Sequence, residues 1–364
     1  MYRGRRIAVV IPCYEIARHI RDVVDTIPDI IDDVVLVDDG STDDLHAQLQ
    51  QIQRAGMIVL RHDNNQGLAR AMTTGLRAAV GCGADIIVKM NGDGQMDPVH
   101  LVRLLRPIVR QEADFTKGNR FVHRRDLRGM PPVRMFGNLG LSFVTKLASG
   151  YWNIFDPTNG YIALRREVVE NLEMERLGPG YFFETSLLVE AYLTGAVLKD
   201  IAIPSRYADE ESSLSPGKIL VRFPWLLVRA GVRRILIRYF LRDFTAVALF
   251  LVAGGLLSVF GVTFGGLEWL ERYGTGVPTP TGTILVAVLP LLAGFQLLVQ
   301  AAVMDIASVP QKSPWLDSQE ELVAVPVAGR DAARIGERFP ATILQSASPA
   351  DEQRTVAEVT SRAV

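Results

Sequence analysis

The stretch IIVKMNGDGQMDP, residues 86–98, decides how this chain is interpreted. It begins with a short apolar run, typical of a buried strand, and continues into an acidic turn broken by two glycines; helical spacing follows at 101–109. In open α/β sheets, ligands bind just beyond the carboxyl ends of strands. Asp93, Gln95 and Asp97 therefore stand where a divalent cation such as Mg²⁺ or Mn²⁺ and a phosphate can bind. A polar β-turn without a ligand is the structural alternative.

The chain around this stretch alternates between short apolar runs and segments with helical spacing. The predicted strands before residue 115 are 7–11, 34–37, 57–60 and 86–88, and the predicted helices lie near 16–27, 43–54, 67–80 and 98–110. Further strands are predicted at 113–117, 160–164 and 196–203, and a helix at 181–193. This alternation predicts an α/β domain, residues 1–215, with a mostly parallel sheet covered on both faces.

The composition restricts the classes of protein to consider. The 364 residues are 48% hydrophobic with a formal net charge of −1, so bulk charge neither favours nor excludes nucleic acid, and no nucleic-acid partner is predicted. The two cysteines, Cys13 and Cys82, form no metal-binding pattern and give no disulfide framework, which suits a reducing compartment. The apolar run at 7–11 is too short for a signal peptide, so we interpret it as a core strand.

The chain changes character at residue 216. Between 216 and 243, six arginines alternate with large apolar side chains, a pattern typical of amphipathic helix on a membrane surface with its basic side chains at the headgroups. An amphipathic helix on a soluble core is the alternative. Residues 244–267 and 283–304 contain no charged side chain. At about 1.5 Å per residue, both runs are long enough to cross a hydrocarbon core of roughly 30 Å.

The two apolar runs predict a transmembrane hairpin, residues 244–305. The connecting loop is expected at 268–273, where Trp269 and Tyr273 suit the membrane–water interface. Because the six arginines precede the first span, the positive-inside rule places the N-terminal domain in the cytoplasm, and the hairpin returns the chain there. The sequence thus predicts an integral protein of the cytoplasmic membrane, with residues 306–364 as a partly disordered cytoplasmic tail. Whether the chain forms a homo-oligomer is left open.

Three further polar stretches follow predicted strands. IPCYE, residues 11–15, offers a tyrosine ring for stacking on a base and a glutamate that can accept from ribose or base. VDDGSTD, residues 37–43, offers carboxylates for the same groups and a cap for the next helix. NNQG, residues 64–67, followed by Ala71 and Gly75, is better explained by close packing of a helix. Each stretch alone also fits an ordinary strand-to-helix loop, so the interpretation depends on their combination.

In this order and at this spacing, the four stretches resemble the nucleotide-sugar domain of glycosyltransferase family 2, which has the GT-A fold, over residues 7–215. With the hairpin added, the chain resembles polyprenyl-phosphate glycosyltransferases, a group that includes dolichyl-phosphate mannose synthase and bacterial undecaprenyl-phosphate glucosyltransferases. The resemblance implies inverting transfer of a hexose from a UDP- or GDP-linked sugar to a polyprenyl phosphate at the cytoplasmic membrane face, with Mg²⁺ or Mn²⁺ as cofactor.

The resemblance also assigns roles to residues. Those matching nucleotide-sugar contacts are Pro12, Tyr14, Glu15, Asp39, Asn91, Asp93, Arg206 and Lys218, the last two in a segment that folds over the diphosphate. The family's acidic motif is usually Asp-x-Asp-x-Gln. Asp93 and Gln95 match its metal-binding positions, whereas Asn91 replaces the first carboxylate. Asparagine can still accept through its carbonyl oxygen, but it brings no charge.

The catalytic residues implied by the resemblance are Arg120, Arg134 and Asp156. The two arginines match the region that receives the lipid phosphate, a task suited to the planar guanidinium fork. Asp156 matches an acidic position proposed for catalysis in relatives. The structural alternatives are a surface or membrane-facing charge for Arg134 and a turn cap before proline for Asp156.

Two other functions stay open on the sequence alone. A non-catalytic membrane scaffold that binds nucleotide sugars is kept open by the replacement at Asn91. A processive polysaccharide synthase usually carries a Gln-x-x-Arg-Trp motif, and none of the four tryptophans lies in one. A dinucleotide-binding dehydrogenase is disfavoured, because the loop after the first strand lacks Gly-x-Gly-x-x-Gly.

Overall fold

The computed structural model describes residues 1–121, 132–203 and 216–316; within these ranges, the side chains at 132–136, 138 and 216–222 are outside the description. Seven strands form one sheet: β1 (Ile7–Cys13), β2 (Asp33–Asp38), β3 (Met57–Arg61), β4 (Ile86–Lys89), β5 (Phe115–Asn119), β6 (Ile162–Arg165) and β7 (Leu198–Ala202). Their order is β3-β2-β1-β4-β6-β5-β7. Only β6 runs antiparallel to its neighbours, which confirms the predicted mostly parallel sheet.

The helices before the hairpin are α1 (Ala17–Thr26), α2 (Leu45–Gln51), α3 (Leu68–Gly81), α4 (Leu101–Val109), α5 (Pro132–Ser149), α6 (Arg166–Glu170), α7 (Phe182–Thr194) and α8 (Pro216–Leu236). Residues 7–11 in β1 are all 0% exposed, as expected for a strand buried on both faces of its sheet. Ala8 and Val10 pack into a core that includes α3 and α7, whereas Val9 packs into a core with α1 and α4. Alternate residues of one strand therefore join the two helical layers to the sheet.

Helix α3 lies very close to the sheet. A Cβ atom added to Gly75 would lie 2.3 Å from Val10 Cγ1 and 3.1 Å from Val37 Cγ2. Both distances are shorter than ordinary van der Waals contacts, so a side chain at position 75 would push α3 away from β1 and β2. The small residue serves helix packing, as the sequence predicted.

The strand order creates a crevice between β1 and β4. From β1 the chain moves to one side through β2 and β3, and then crosses to the other side to form β4. The carboxyl ends of β1 and β4 therefore meet at a switch point, the place where open α/β sheets bind ligands. Because β6 is antiparallel to β4, the residues just before β6 reach the same edge of the sheet. The polar turns predicted from the sequence all converge there.

Two 27-residue helices, α9 (Ala246–Arg272) and α10 (Thr281–Ala307), form a hairpin, and both are long and apolar enough to cross a membrane. They pack closely at small residues: a Cβ on Gly254 would lie 3.0 Å from the Gly294 carbonyl oxygen. The loop expected at 268–273 is wrong in position, since the helix continues to Arg272. Arg272 Nε lies 3.3 Å from Glu268 Oε2 one turn earlier, so these charges extend the helix.

The amphipathic segment is also only partly as predicted. It forms α8 and a π-helical turn, Ile237–Arg242. Arg229 and Arg238 are exposed, but Arg234 is 0% exposed and binds Asp305 of α10, with Nη1 2.7 Å from Oδ1. The expectation that all six arginines face headgroups is therefore wrong for Arg234, because a carboxylate of α10 pairs with it inside the protein.

The carboxylate of Asp305 fastens the hairpin to the α/β domain. It also accepts from Tyr239 Oη at 2.6 Å and from Trp152 Nε1 at 3.1 Å. Beyond α10, Ser313 Oγ donates to Asp114 Oδ1 at 2.7 Å, so the first residues of the expected tail return to the domain. The rest of that tail, 317–364, lies outside the described residues.

Candidate active site

A cleft of about 530 Å³ opens at the carboxyl edge of the sheet. Five of the predicted nucleotide-sugar residues line it: Pro12, Tyr14, Asp39, Asn91 and Asp93. They come from the ends of β1, β2 and β4, which are adjacent in the sheet. Residues absent from the predictions complete the lining, among them Lys89, Thr158, Gly160 and Glu184.

Asp39 is a fixed carboxylate at the end of β2. It is 3% exposed and accepts from the backbone N–H groups of Gln66 at 3.0 Å and Gly67 at 2.7 Å. The ring nitrogen Nδ1 of His62 lies 2.6 Å from Asp39 Oδ1, and its Nε2 lies 3.0 Å from Thr74 Oγ1. Since a carboxylate only accepts, His62 donates through Nδ1. Asp39 thus ties the loop before α3 to β2 and shapes this wall of the cleft.

Tyr14 and Glu15 follow β1 but point to different surroundings. Tyr14 is 43% exposed and lines the cleft, where its ring is accessible to a base. Glu15 is exposed, and its Oε1 accepts from Thr42 Oγ1 at 3.1 Å. Its backbone N–H donates to Ser41 Oγ at 3.1 Å. The structure therefore brings Tyr14 into the cleft and places the Glu15 carboxylate on the loop beside it.

The acidic turn divides its polar residues between two tasks. Asp93 lines the cleft, and its Oδ1 accepts from the backbone N–H of Gln95 at 3.0 Å. Gln95 is exposed in the same turn. Asp97, in contrast, accepts from the backbone N–H of Val99 at 3.0 Å and so caps the helical turn before α4. Asp93 remains the carboxylate of this turn that faces the cleft.

Within the described ranges, no group of three or more His, Cys, Asp or Glu side chains could hold a metal ion. Mg²⁺ and related cations are often bound through one or two carboxylates together with substrate phosphates and water. Asp93 and Gln95 fit this pattern, with one carboxylate and one amide oxygen. The residues present therefore suit a cation that arrives with a diphosphate, rather than a cation held by protein alone.

Behind the part of the cleft lined by Thr158 lies an ion pair between the buried Asp156 and the partly exposed Arg120. Asp156 is 0% exposed and accepts from Arg120 through both oxygens, at 2.8 Å from Nε and 3.0 Å from Nη2. Burial by itself raises the pKa of Asp156, but the hydrogen bonds from Arg120 and the nearby charges outweigh it and hold the pKa below its ordinary value. Thr158, 3.4 Å from Arg120 Nη2, connects this pair to the cleft lining.

Lys117 lies beneath this pair. It is 1% exposed, and its Nζ donates to the backbone oxygen of Asp156. Burial lowers the pKa of Lys117 to about 8, against the opposing effect of the Asp156 and Asp200 carboxylates. Asp200 in turn accepts from the backbone N–H of Phe155 at 2.8 Å. The segment that carries Asp156 is therefore held from below by charged groups of β5 and β7.

Three predicted residues cannot be placed with the others. Positions 134 and 218 lie in α5 and α8, but the side chains of Arg134 and Lys218 are outside the described set. Arg206 lies outside the described residues. Their expected contacts with the lipid phosphate and the diphosphate stay predictions.

His62, Lys89 and Glu184 were not among the site residues predicted from the sequence. Lys89 did give a signal, since a charged residue ends an otherwise apolar strand, and such a lysine needs a partner when buried. His62 follows β3 directly, and β3 lies next to β2 in the sheet. A search of every residue that follows a predicted strand would therefore have included it. Glu184 gave no signal, because it stands in the first turn of a helix 95 residues from its partner Lys89.

Comparison with known proteins agrees with this geometry. The model of "Glycosyl transferase family 2" matches residues 8–173. The UDP-N-acetylglucosamine–dolichyl-phosphate N-acetylglucosaminyltransferase of Methanococcus voltae is 27% identical over 218 residues, which is 56% of this chain and 86% of that protein. An uncharacterized protein of Methanocaldococcus jannaschii is 31% identical over 184 residues, covering 50% of this chain and 73% of that protein.

Among solved structures, glucosyl-3-phosphoglycerate synthase from Mycobacterium tuberculosis, in complex with Mn²⁺, uridine diphosphate and glucosyl-3-phosphoglycerate, is similar with a TM-score of 0.47. The two chains are 19% identical, and the matched region covers 64% of this chain and 80% of the synthase. The matched family region contains the cleft residues from β1, β2 and β4 together with Arg120 and Asp156. The chain belongs to glycosyltransferase family 2, and its catalytic domain has the GT-A fold.

Proposed function

We propose that this enzyme transfers a hexose from a UDP- or GDP-linked sugar to the phosphate of a membrane polyprenyl lipid. The observation that carries the proposal is the buried pair of Arg234 and Asp305, which fastens a family 2 catalytic domain to two helices of membrane length. An enzyme attached in this way meets acceptors at the membrane surface. The similarity to a protein named for a dolichyl-phosphate acceptor supports the same class of acceptor.

Exposed apolar side chains support a membrane-facing orientation of the domain. Along α8, Trp225, Val228 and Val232 are 67%, 56% and 50% exposed. On α5, which packs beside α8, Phe143 is 58% exposed. Such a face is costly in water and favourable in the interfacial layer of a bilayer. We therefore place the hairpin across the cytoplasmic membrane, with the catalytic domain on the cytoplasmic side, where the arginine-rich segment lies.

The proposed reaction is a single displacement. An oxygen of the lipid phosphate attacks the anomeric carbon while the bond from that carbon to the nucleoside diphosphate breaks, so the configuration inverts. A phosphate monoester is largely ionised near neutral pH, its second pKa being about 6, so no strong general base is needed. A divalent cation bound through Asp93 and Gln95 would offset the charge that develops on the leaving diphosphate.

In this proposal, Arg120 binds the incoming phosphate. Its guanidinium is 38% exposed and anchored at 2.8 Å to the fully buried Asp156. Because both oxygens of Asp156 bind Arg120, we assign Asp156 to positioning and charge balance rather than to proton abstraction. Arg134 is proposed as a second phosphate ligand, and Arg206 and Lys218 as groups that fold over the diphosphate.

The test is a transfer assay with the full chain in vesicles that contain undecaprenyl or dolichyl phosphate. Mn²⁺ and labelled UDP-glucose, UDP-N-acetylglucosamine or GDP-mannose are supplied in turn. We expect labelled lipid with at least one donor, none when the lipid phosphate is replaced by the free polyprenol, and none after chelation. Binding of a donor without labelled lipid from any of them would contradict the proposal and favour the non-catalytic scaffold.

A further inference from the structure

Lys89 is a buried cation in the floor of the cleft. Its side chain is 2% exposed, and its Nζ lies 3.0 Å from Glu184 Oε1, 3.1 Å from Asn91 Oδ1 and 3.4 Å from the Gly160 carbonyl oxygen. An ammonium has three protons and no acceptor. Three oxygens therefore satisfy Lys89, and it acts on the cleft by fixing its neighbours.

The contact with Lys89 fixes which end of the Asn91 amide faces the cleft. The two ends of an asparagine amide are hard to distinguish by shape, so the hydrogen-bond partner decides the assignment. Because an ammonium only donates, the atom 3.1 Å from Lys89 Nζ must be the carbonyl oxygen of Asn91. Its NH₂ group then points away from Lys89. Asn91 is among the residues that line the cleft, so its NH₂ group lies where a ligand would bind.

We propose that Asn91 donates a hydrogen bond to a phosphate oxygen of the bound nucleoside diphosphate sugar, and that Lys89 and Glu184 set this orientation. The inference rests on nucleotide-sugar binding by the proposed enzyme and is independent of the acceptor. Because the Lys89 ammonium lies 3.1 Å from the Asn91 oxygen, its positive charge disfavours a divalent cation on the same atom, and we assign the cation to Asp93 and Gln95. The chain thus has a donor to the substrate at the position where the family motif usually has its first carboxylate.

Glu184 stabilises this arrangement. It stands in the first turn of α7, is 11% exposed, and balances the charge of Lys89 within the protein. An uncompensated buried ammonium would be strongly unfavourable. In the variant Asn91→Asp, Lys89 would bind the new carboxylate. The substitution is therefore expected to add little affinity for a cation.

The test uses calorimetry on the purified full chain in detergent, with UDP and GDP as probes. In chelator, Asn91→Asp and Asn91→Ala are expected to bind the preferred nucleotide about tenfold more weakly than the wild type, since each loses a donor to a charged oxygen. Titration of Mn²⁺ at saturating nucleotide should give affinities for Asn91→Asp and wild type that agree within about threefold. In a Lys89→Met/Glu184→Gln background, Asn91→Asp should strengthen Mn²⁺ binding at least about tenfold, because the carboxylate is then released.

A tenfold gain in Mn²⁺ affinity from Asn91→Asp alone would overturn the proposal, as would unchanged metal-free nucleotide binding in both single variants. Failure of the wild type to bind either nucleotide would overturn it as well. Position 91 is only half-buried, so the single variants test the proposal even if the double variant does not fold. No acceptor lipid is present, so these outcomes are separate from failure of lipid glycosylation.

Discussion

The two walls of the cleft are built in different ways. On the nucleotide side, Asp39 is held by backbone N–H groups and by His62, all from loops at neighbouring strand ends. On the side that we propose for the acceptor, the buried Asp156 is held by Arg120, 36 residues away, and by the buried Lys117. The difference suggests that changes on the first wall mainly alter ligand affinity, whereas changes on the second alter turnover and stability together.

The wall that we propose for the acceptor is also linked to the hairpin. Trp152, four residues before Asp156, donates to Asp305 at the end of α10. Asp305→Ala is expected to lower the free energy of unfolding by about 3–5 kcal/mol, because it leaves Arg234 charged and unpaired in the interior. Thermal unfolding in detergent measures this loss. The matched control is Arg234→Met/Asp305→Leu, which should recover most of the stability; a double variant as unstable as Asp305→Ala would show that the charges themselves are required.

Arg120→Met tests the catalytic role of the acceptor wall. We expect turnover to fall by about 10²–10³-fold, the range found when one preorganised charge-stabilising donor is removed from an active site. Nucleotide affinity should change less than about threefold, because Arg120 lies on the opposite wall. Arg110→Met is the control, since Arg110 is a surface residue with only a 4.0 Å contact to Glu112. Equal losses of turnover and nucleotide affinity in Arg120→Met would remove the distinction between the walls.

Asp39→Asn tests the nucleotide wall. Asparagine keeps one acceptor oxygen but loses the charge that three donors share, so we expect about tenfold weaker nucleotide binding and a small loss of stability. Calorimetry and thermal unfolding on the same preparation measure both. A large drop in melting temperature without a change in affinity would mean that this wall is as structural as the other one.

The smallest predicted effect is the pH dependence of stability that Lys117 causes. Its pKa is lowered by burial from 10.5 to about 8 in the folded protein. Between these values the unfolded chain binds more protons than the folded protein, so stability rises with pH. The cost of the buried charge is fully present below pH 8 and is absent above pH 10.5. From pH 7.5 to 9, the wild type should gain about 1 kcal/mol relative to Lys117→Met; a constant difference would contradict the lowered pKa.

The sequence was most informative where structure is local. The apolar runs located the central strands, and the polar turns after β1, β2 and β4 led directly to Tyr14, Asp39 and Asp93. This worked because parallel strands bring their carboxyl ends together regardless of side-chain detail. The two hairpin helices were equally predictable, because the mean hydropathy of a 27-residue helix does not depend on its individual contacts.

The sequence was least informative about pairs of charges that meet only in the folded chain. Hydropathy patterns cannot tell a headgroup-facing arginine from Arg234, whose partner lies 71 residues away. Glu184 and Lys89 are separated by 95 residues, and their pairing decides how Asn91 is presented. Such partners require knowledge of the sheet order and of where each helix packs, neither of which follows from spacing.

In the proposed reaction, a lipid phosphate attacks the anomeric carbon of a nucleotide sugar in this cleft. NMR of the lipid extracted after reaction with an α-linked donor tests it most directly. We predict a new phosphodiester between the sugar C1 and the polyprenyl phosphate, in β configuration. An α-linked product, or free sugar with unchanged polyprenyl phosphate, would contradict the account.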